Sequence, residues 1–249
     1  MTLALSSVVV CCTGDSRPAP EGAATPATLP PGSRLPNDAA CAAGVGQSHW
    51  EPRPDNATPN HTSGVACSEV GACSAWQQNI YEFAARVDGR FTGTTDQILQ
   101  WGACKWGIEA NLLRAVATRE STWRQSQVGD YTRDSKLCSS FGQSAPCYQS
   151  YGLLQVKASA AAHPATYPYS QASTAFNVDF AAAWLRSCFE GTDRWLAKKP
   201  QSSRGYSAGD IWGCVGAWYS GAWYDAGAQD YIEKVKQFYL SEPWLKPGF

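Results

Sequence analysis

The sequence predicts an all-α, β-poor domain braced by disulfides and carried on a disordered N-terminal linker. Three observations lead there. Apolar residues recur at helical spacing from about Val65 onward, clean two-residue alternation is nearly absent, and ten cysteines are spread along 249 residues.

The elements follow in chain order. Residues 1–12 hold a short apolar run, Leu3 to Val10, ending at Cys11-Cys12. The run is too short to span a bilayer and resembles the core of an export signal without its basic start. A cysteine directly after it also suits a lipid-anchored alternative. No other stretch is apolar enough to cross a membrane, so no transmembrane helix is expected. Residues 13–64 are rich in Pro, Ala, Gly and Ser, as in Pro26-Ala-Thr-Leu-Pro-Pro and Pro52-Arg-Pro-Asp-Asn. Such a stretch buries too little apolar surface to offset its ordering entropy, and a linker is expected. It contains two Asn-x-Thr sequons, at Asn56 and Asn60.

Residues 65–249 read as the folded domain. Ile80, Phe83, Ala84 and Val87 share one face of a helix expected from Ala75 to Val87. Thr95 can cap a second helix carrying Ile98, Leu99 and Trp101. A third helix is expected from Ala110 to Ser121, and a fourth from Ser173-Thr174 through Leu185. Ser207 with Asp210 resembles a capping box for a fifth helix through Tyr219. A last one runs from about Ala228 to Leu240, with Tyr231, Val235, Phe238 and Tyr239 along one side.

Composition narrows the function. Twenty Lys and Arg nearly balance twenty-one Asp and Glu, so nothing marks a polyanion partner, and nucleic acid is not expected. The eleven Trp and low charge suit either packed cores or sugar-stacking surfaces. Apart from Cys11 and Cys12, eight cysteines remain, at 41, 67, 73, 104, 138, 147, 188 and 214. No two have the Cys-x-x-Cys spacing of a zinc site. The even set points to disulfides in an oxidising, extracytoplasmic setting. Cys138 with Cys147, and Cys188 with Cys214, are reasonable local pairs. The His residues lack partners for a Ser/His/Asp arrangement, and none is read as catalytic.

One carboxylate stands out. Leu113, Val116 and Ala117 form an apolar stripe on the third helix, and Glu120 falls at its next position. The side chain should therefore point toward apolar surroundings. It also lies at the helix C-terminus, where the macrodipole disfavours negative charge. Both effects raise a carboxyl pKa, and a carboxylic acid protonated near neutrality can donate to a leaving glycosidic oxygen. A surface Glu at a frayed helix end is the plain alternative.

Four stretches resemble a known family. Gly107-Ile108-Glu109-Ala110-Asn111-Leu112-Leu113, with Glu120-Ser121-Thr122-Trp123, looks like the catalytic helix of the soluble lytic transglycosylases and goose-type lysozymes. Tyr151-Gly152-Leu153-Leu154-Gln155-Val156 is similar to their Gly-Leu-Met-Gln motif. Asn177-Val178, followed by Ala181, Trp184 and Leu185, resembles their Asn-Ile helix. Ala217-Trp218-Tyr219-Ser220-Gly221 resembles their Ala-Tyr-Asn-x-Gly segment. The four occur in the family's order. The resemblance implies a lysozyme-like helical domain that cleaves peptidoglycan glycan strands, with Glu120 as general acid and then base. It implies substrate contacts around Ser121, Tyr151, Gln155, Asn177 and Tyr219, no cofactor, and a monomer secreted or lipid-anchored at the cell envelope.

This chain also departs from the family. Ser220 replaces the Asn of the last motif. Thirty-two positions separate Glu120 from Gly152, and the insert holds Cys138 and Cys147. It also holds Asp130, the best candidate for a second carboxylate that positions water, as in goose-type lysozymes. Lys157 stands where those enzymes carry an acid. A transglycosylase is expected. The alternatives are a hydrolytic lysozyme, or a glycan-binding wall protein without turnover.

Overall fold

Helix-forming periodicity in the sequence becomes eleven α-helices in the computed structural model, which describes residues 27–198 and 204–249. The export-signal-like segment 1–12, with Cys11 and Cys12, lies outside the described residues. In chain order the helices are α1 Asp38–Gly44, α2 Ala57–Asn60, α3 Cys67–Val70, α4 Cys73–Ile80, α5 Thr95–Trp106 and α6 Ala110–Ser121. They continue with α7 Ser135–Ser139, α8 Tyr169–Ala172, α9 Thr174–Phe189, α10 Ile211–Ser220 and α11 Ala226–Ser241.

Helix α9 is the axis of the fold. All its residues are buried, and α4, α5 and α10 pack on it. The stripe Leu113, Val116 and Ala117 sinks the α6 face into the same core, and α11 also packs against α6. No helix among the described residues is long and apolar enough to cross a membrane.

Helix ends follow side-chain chemistry. α5 is capped one residue earlier than expected: Thr94 accepts from the Gln97 backbone N–H, and the Gln97 side chain accepts from Thr94 N. Asp210 alone caps α10, accepting from Gly213 N. The helix expected from Ala75 to Val87 instead breaks after Ile80. Tyr81 takes a φ of 52°, and a 3-10 turn, Tyr81–Arg86, follows. Ala84 and Val87 still reach the core, so the periodicity marked the buried face correctly but not the break.

Three two-residue strands form one antiparallel sheet: β1 Val128–Gly129, β2 Ser150–Tyr151 and β3 Val156–Lys157. Strands this short show no alternation in sequence.

Four disulfides brace the described residues. Cys138–Cys147 and Cys188–Cys214 are the two local pairs expected. The others are Cys67–Cys73 and Cys41–Cys104.

The linker expected over 13–64 is corrected for its described part, 27–64. This segment is packed onto the helices. Cys41 is buried and bonded to Cys104 of α5. Fully buried Arg186 donates to the carbonyls of Leu29 and Pro30 at 2.8 and 2.9 Å. Glu51 accepts from Thr95 N at 2.7 Å, placing an anion at the α5 N-terminus where the dipole favours it. The sequon residues are internal props. Asn56 donates to Thr95 Oγ1 and the Trp123 carbonyl and accepts from Gln125 N, while Asn60 donates to Glu51 and Thr95. A poor apolar composition did not prevent order, because the ordering contacts are a disulfide and buried hydrogen bonds, and prolines reduce the entropy to be lost.

Candidate functional site

The four family-like stretches meet at the turn joining β2 to β3. Ser121 Oγ, at the end of α6, donates to the Leu153 carbonyl at 2.8 Å. Asn177 of α9 accepts from Leu154 N and donates to the Tyr151 and Ser170 carbonyls, each at 2.8 Å. Trp218 of α10 donates its indole N–H to the Leu154 carbonyl at 3.2 Å. Gly152 is what permits this crowding. Its φ is +79°, and a Cβ there would lie 2.4 Å from Asn177 Nδ2 and 2.7 Å from the Ser170 carbonyl.

This geometry redistributes the expected roles. Ser121, Tyr151 and Asn177 are buried, and their polar groups bond to protein backbone. They build the turn rather than presenting polar groups to a ligand. Ser220 is likewise used locally, bonding to the Gly216 carbonyl and to Ala222. Trp123 and Trp223 are core residues, while half-buried His163 stacks on Trp218, and desolvation of its ring pushes its pKa down to about 4.

Glu120, Asp130, Gln155 and Tyr219 are the expected site residues left around the α6 C-terminus. Glu120 is partly buried. Burial pushes its carboxyl up to about 7, and the charge of Asp130 pushes the same way, against a hydrogen bond from Tyr231 and the charge of Arg119. Tyr231 was legible in the sequence only as part of the apolar stripe of the last helix. It is fully buried, and its hydroxyl donates to Glu120 Oε1. A buried tyrosine hydroxyl needs a partner, which was the available signal. Tyr219, exposed at 57%, stacks on Tyr231 with ring centroids 4.8 Å apart and planes 4° from parallel. It therefore orients the acid indirectly, through Tyr231.

Asp130 takes a left-handed φ of 54° just after β1. The sheet register pairs Ser150 with both Gly129 and Lys157, which aligns three side chains. Ser150 Oγ donates to Asp130 Oδ2 at 2.7 Å, and Lys157 Nζ lies 3.0 Å from the same oxygen. Burial pushes Asp130 up, but the Ser150 hydroxyl and Lys157 ammonium outweigh it and hold its pKa below the usual value. Gln155 donates to the Gln127 and Gly152 carbonyls, and its Oε1 would meet a Cβ at Gly129 at 2.5 Å. Its amide thus lies against β1, the strand that ends just before Asp130.

Two neighbouring carboxyls with pKa values driven apart make an acid and an ionised partner. The arrangement can donate a proton from Glu120 near neutral pH while Asp130 stays charged. Among the described residues, no group of three or more His, Cys, Asp or Glu is placed to hold a metal ion.

The electrostatic signs can be checked without any substrate. Tyr231→Phe removes a donor that favours the ionised form, so the Glu120 titration should move to higher pH. Asp130→Asn removes a repelling charge and should move it to lower pH. Titrating the Glu120 side-chain carboxyl by 13C NMR reads both. Shifts of the same sign in the two variants would contradict this account.

Comparison with protein-family models, with characterised proteins and with solved structures finds no match for this chain.

Proposed function

We propose that this chain is an extracytoplasmic, lysozyme-like enzyme that cleaves the β-1,4 bond between N-acetylmuramic acid and N-acetylglucosamine in peptidoglycan. The observation that carries the reading is Glu120, a carboxyl held near neutrality beside the ionised Asp130. Two further features support it. The family-like stretches converge on one turn beside that carboxyl. Four disulfides suit an oxidising compartment.

In the transglycosylase form of the reaction, Glu120 gives its proton to the leaving O4 as the C1–O4 bond breaks. The muramic acid C6 hydroxyl then bonds to C1, and its proton returns to Glu120. The product carries a 1,6-anhydro ring, and no water is consumed. Tyr231 holds the acid in place, and Tyr219 covers Tyr231 on the open side.

A hydrolytic outcome is the second reading, favoured by one observation. Asp130 is ionised and close enough to repel charge on Glu120, so it can orient an attacking water. Lys157 opposes this by neutralising Asp130, and for that reason the transglycosylase reading is preferred.

Mass spectrometry of purified peptidoglycan digested by the protein tests the proposal. Anhydro-muramic ends are expected. Reducing ends alone would transfer the reading to a lysozyme, and undigested glycan would leave only a wall-binding protein.

A further inference from the structure

A hollow of about 580 Å³ lies between α4 and the loop after α9, and Glu120 is not among its lining residues. One wall is the stripe Ser74, Gln77 and Gln78, at i, i+3 and i+4 on one face of α4, with Tyr81 just past the helix end. The opposite side of α4 carries Trp76 and Ile80, both with no exposed surface, so this stripe is the outward face. The other wall is Thr192, Asp193, Arg194 and Trp195.

Two features make this wall pair unusual. Tyr81 and Trp195 are large aromatic residues left 53% and 38% exposed on a surface that buries most others. Both are also set on fixed supports. Tyr81 follows the last residue of α4 at a φ of 52°, a conformation uncommon for a bulky side chain. The Trp195 loop is pinned by Thr192 donating to the Ser187 carbonyl at 2.8 Å and by Asp193 N donating to Tyr206 Oη at 3.1 Å. The Cys188–Cys214 disulfide stands behind that loop.

We propose that this hollow is a second glycan-binding site, separate from Glu120, that takes a short run of β-1,4-linked N-acetylated sugars. Aromatic planes suit the apolar faces of pyranose rings. The Gln77 and Gln78 amides and the Ser74 and Thr192 hydroxyls supply donors and acceptors for hydroxyl and acetamido groups. Arg194 and Asp193 are the charged side chains of the lining, one of each sign, and no cluster of basic residues marks the hollow for a polyanion. An enzyme acting on an insoluble polymer gains from a separate grip that keeps it on the strand through multivalency. The choice of an N-acetylated glycan rests on the reading of Glu120; the hollow itself does not.

Titration of 15N-labelled wild-type protein with tetra-N-acetylchitotetraose, followed by NMR, tests the site. The Gln77 and Gln78 side-chain amides and the Trp195 indole N–H should shift together and saturate. Tyr81→Ala with Trp195→Ala should weaken that response by at least about tenfold, two stacking contacts being lost. Shifts confined to Gln155 and Tyr219 would overturn the second site and leave the proposed function standing. Shifts confined to the hollow would support the second site and count against sugar binding beside Glu120. No shift at either place would overturn the second site as well.

Discussion

Replacing Glu120 with glutamine is expected to lower glycan cleavage by about 10²–10⁴-fold, the usual contribution of a positioned acid. Gln is nearly isosteric and keeps an oxygen to accept from Tyr231, so the fold and the surrounding hydrogen bonds should survive. The proposed reaction requires a protonated Glu120 in its first step, so the wild-type rate should fall as pH rises through about 7. Stability gives a second readout that does not depend on any substrate. The folded pKa lies above the usual 4.5, so between about 4.5 and 7 the folded chain holds a proton that the unfolded chain has released. Stability therefore falls as pH rises across that window, by up to about 3 kcal/mol in total. Glutamine has no proton to lose. Calorimetry should find Tm of the variant close to wild type at pH 4 and above it at pH 8. A Tm difference that does not change with pH would refute the raised pKa, and unchanged cleavage would refute the acid.

Part of this was legible in sequence, for identifiable reasons. Glu120 could be placed on the buried side because Leu113, Val116 and Ala117 define the stripe it continues, and α6 spans the range expected for it. The Cys138–Cys147 and Cys188–Cys214 pairs close short separations of 9 and 26 residues, so chain connectivity favours them. The ordered segment before Val65 was not legible, because its contacts are between residues far apart. Asn56 and Asn60 look like surface sequons, yet both amides point inward to Thr95. Cys41 was a missed clue: a cysteine of the even set cannot sit in a free linker if its partner lies in the core. Tyr231 was missed as a site residue because its contact with Glu120 spans 111 positions. Residues of the motif stretches divided in a way spacing could not show. Asn177 and Ser121 face the backbone of a turn, and only three-dimensional packing decides that.

The same packing places a buried charge network under the site, and its disruption should produce a large loss of stability. Lys105 of α5 and Asp179 of α9 are both fully buried, with Nζ 2.8 Å from Oδ2. Burial alone would lower the Lys105 pKa, but Asp179, Asp88 and Asp38 together hold it above its usual value. Asp179 is pushed upward by burial, against Lys105 and the backbone donors of Gly89 and Asp88. It also accepts the Trp106 indole N–H at 2.7 Å. Lys105→Met keeps much of the side-chain shape and removes the charge. Breaking a buried pair this way typically costs about 3–5 kcal/mol, which at this chain length lowers Tm by about 6–20 °C. The loss should shrink at low pH, because Asp179, freed of Lys105, is then neutralised by a proton more readily. Asp179→Leu should cost at least as much as Lys105→Met, because it orphans three N–H donors and leaves the buried ammonium only Asp88 and Asp38. Thermal unfolding of both variants at pH 4 and pH 7 checks the order and the pH trend. A milder Asp179→Leu would mean that those donors do not depend on the carboxylate. The consequence reaches the site through α9. Asn177, two residues before Asp179, holds the Gly152 turn by two bonds and ties it to Ser170 by a third, and that turn carries Gln155 and joins the strands that align Ser150 and Lys157 on Asp130. A shift of α9 by a fraction of an ångström would therefore loosen the second carboxylate's supports before it reached Glu120, which is held separately by α6 and Tyr231.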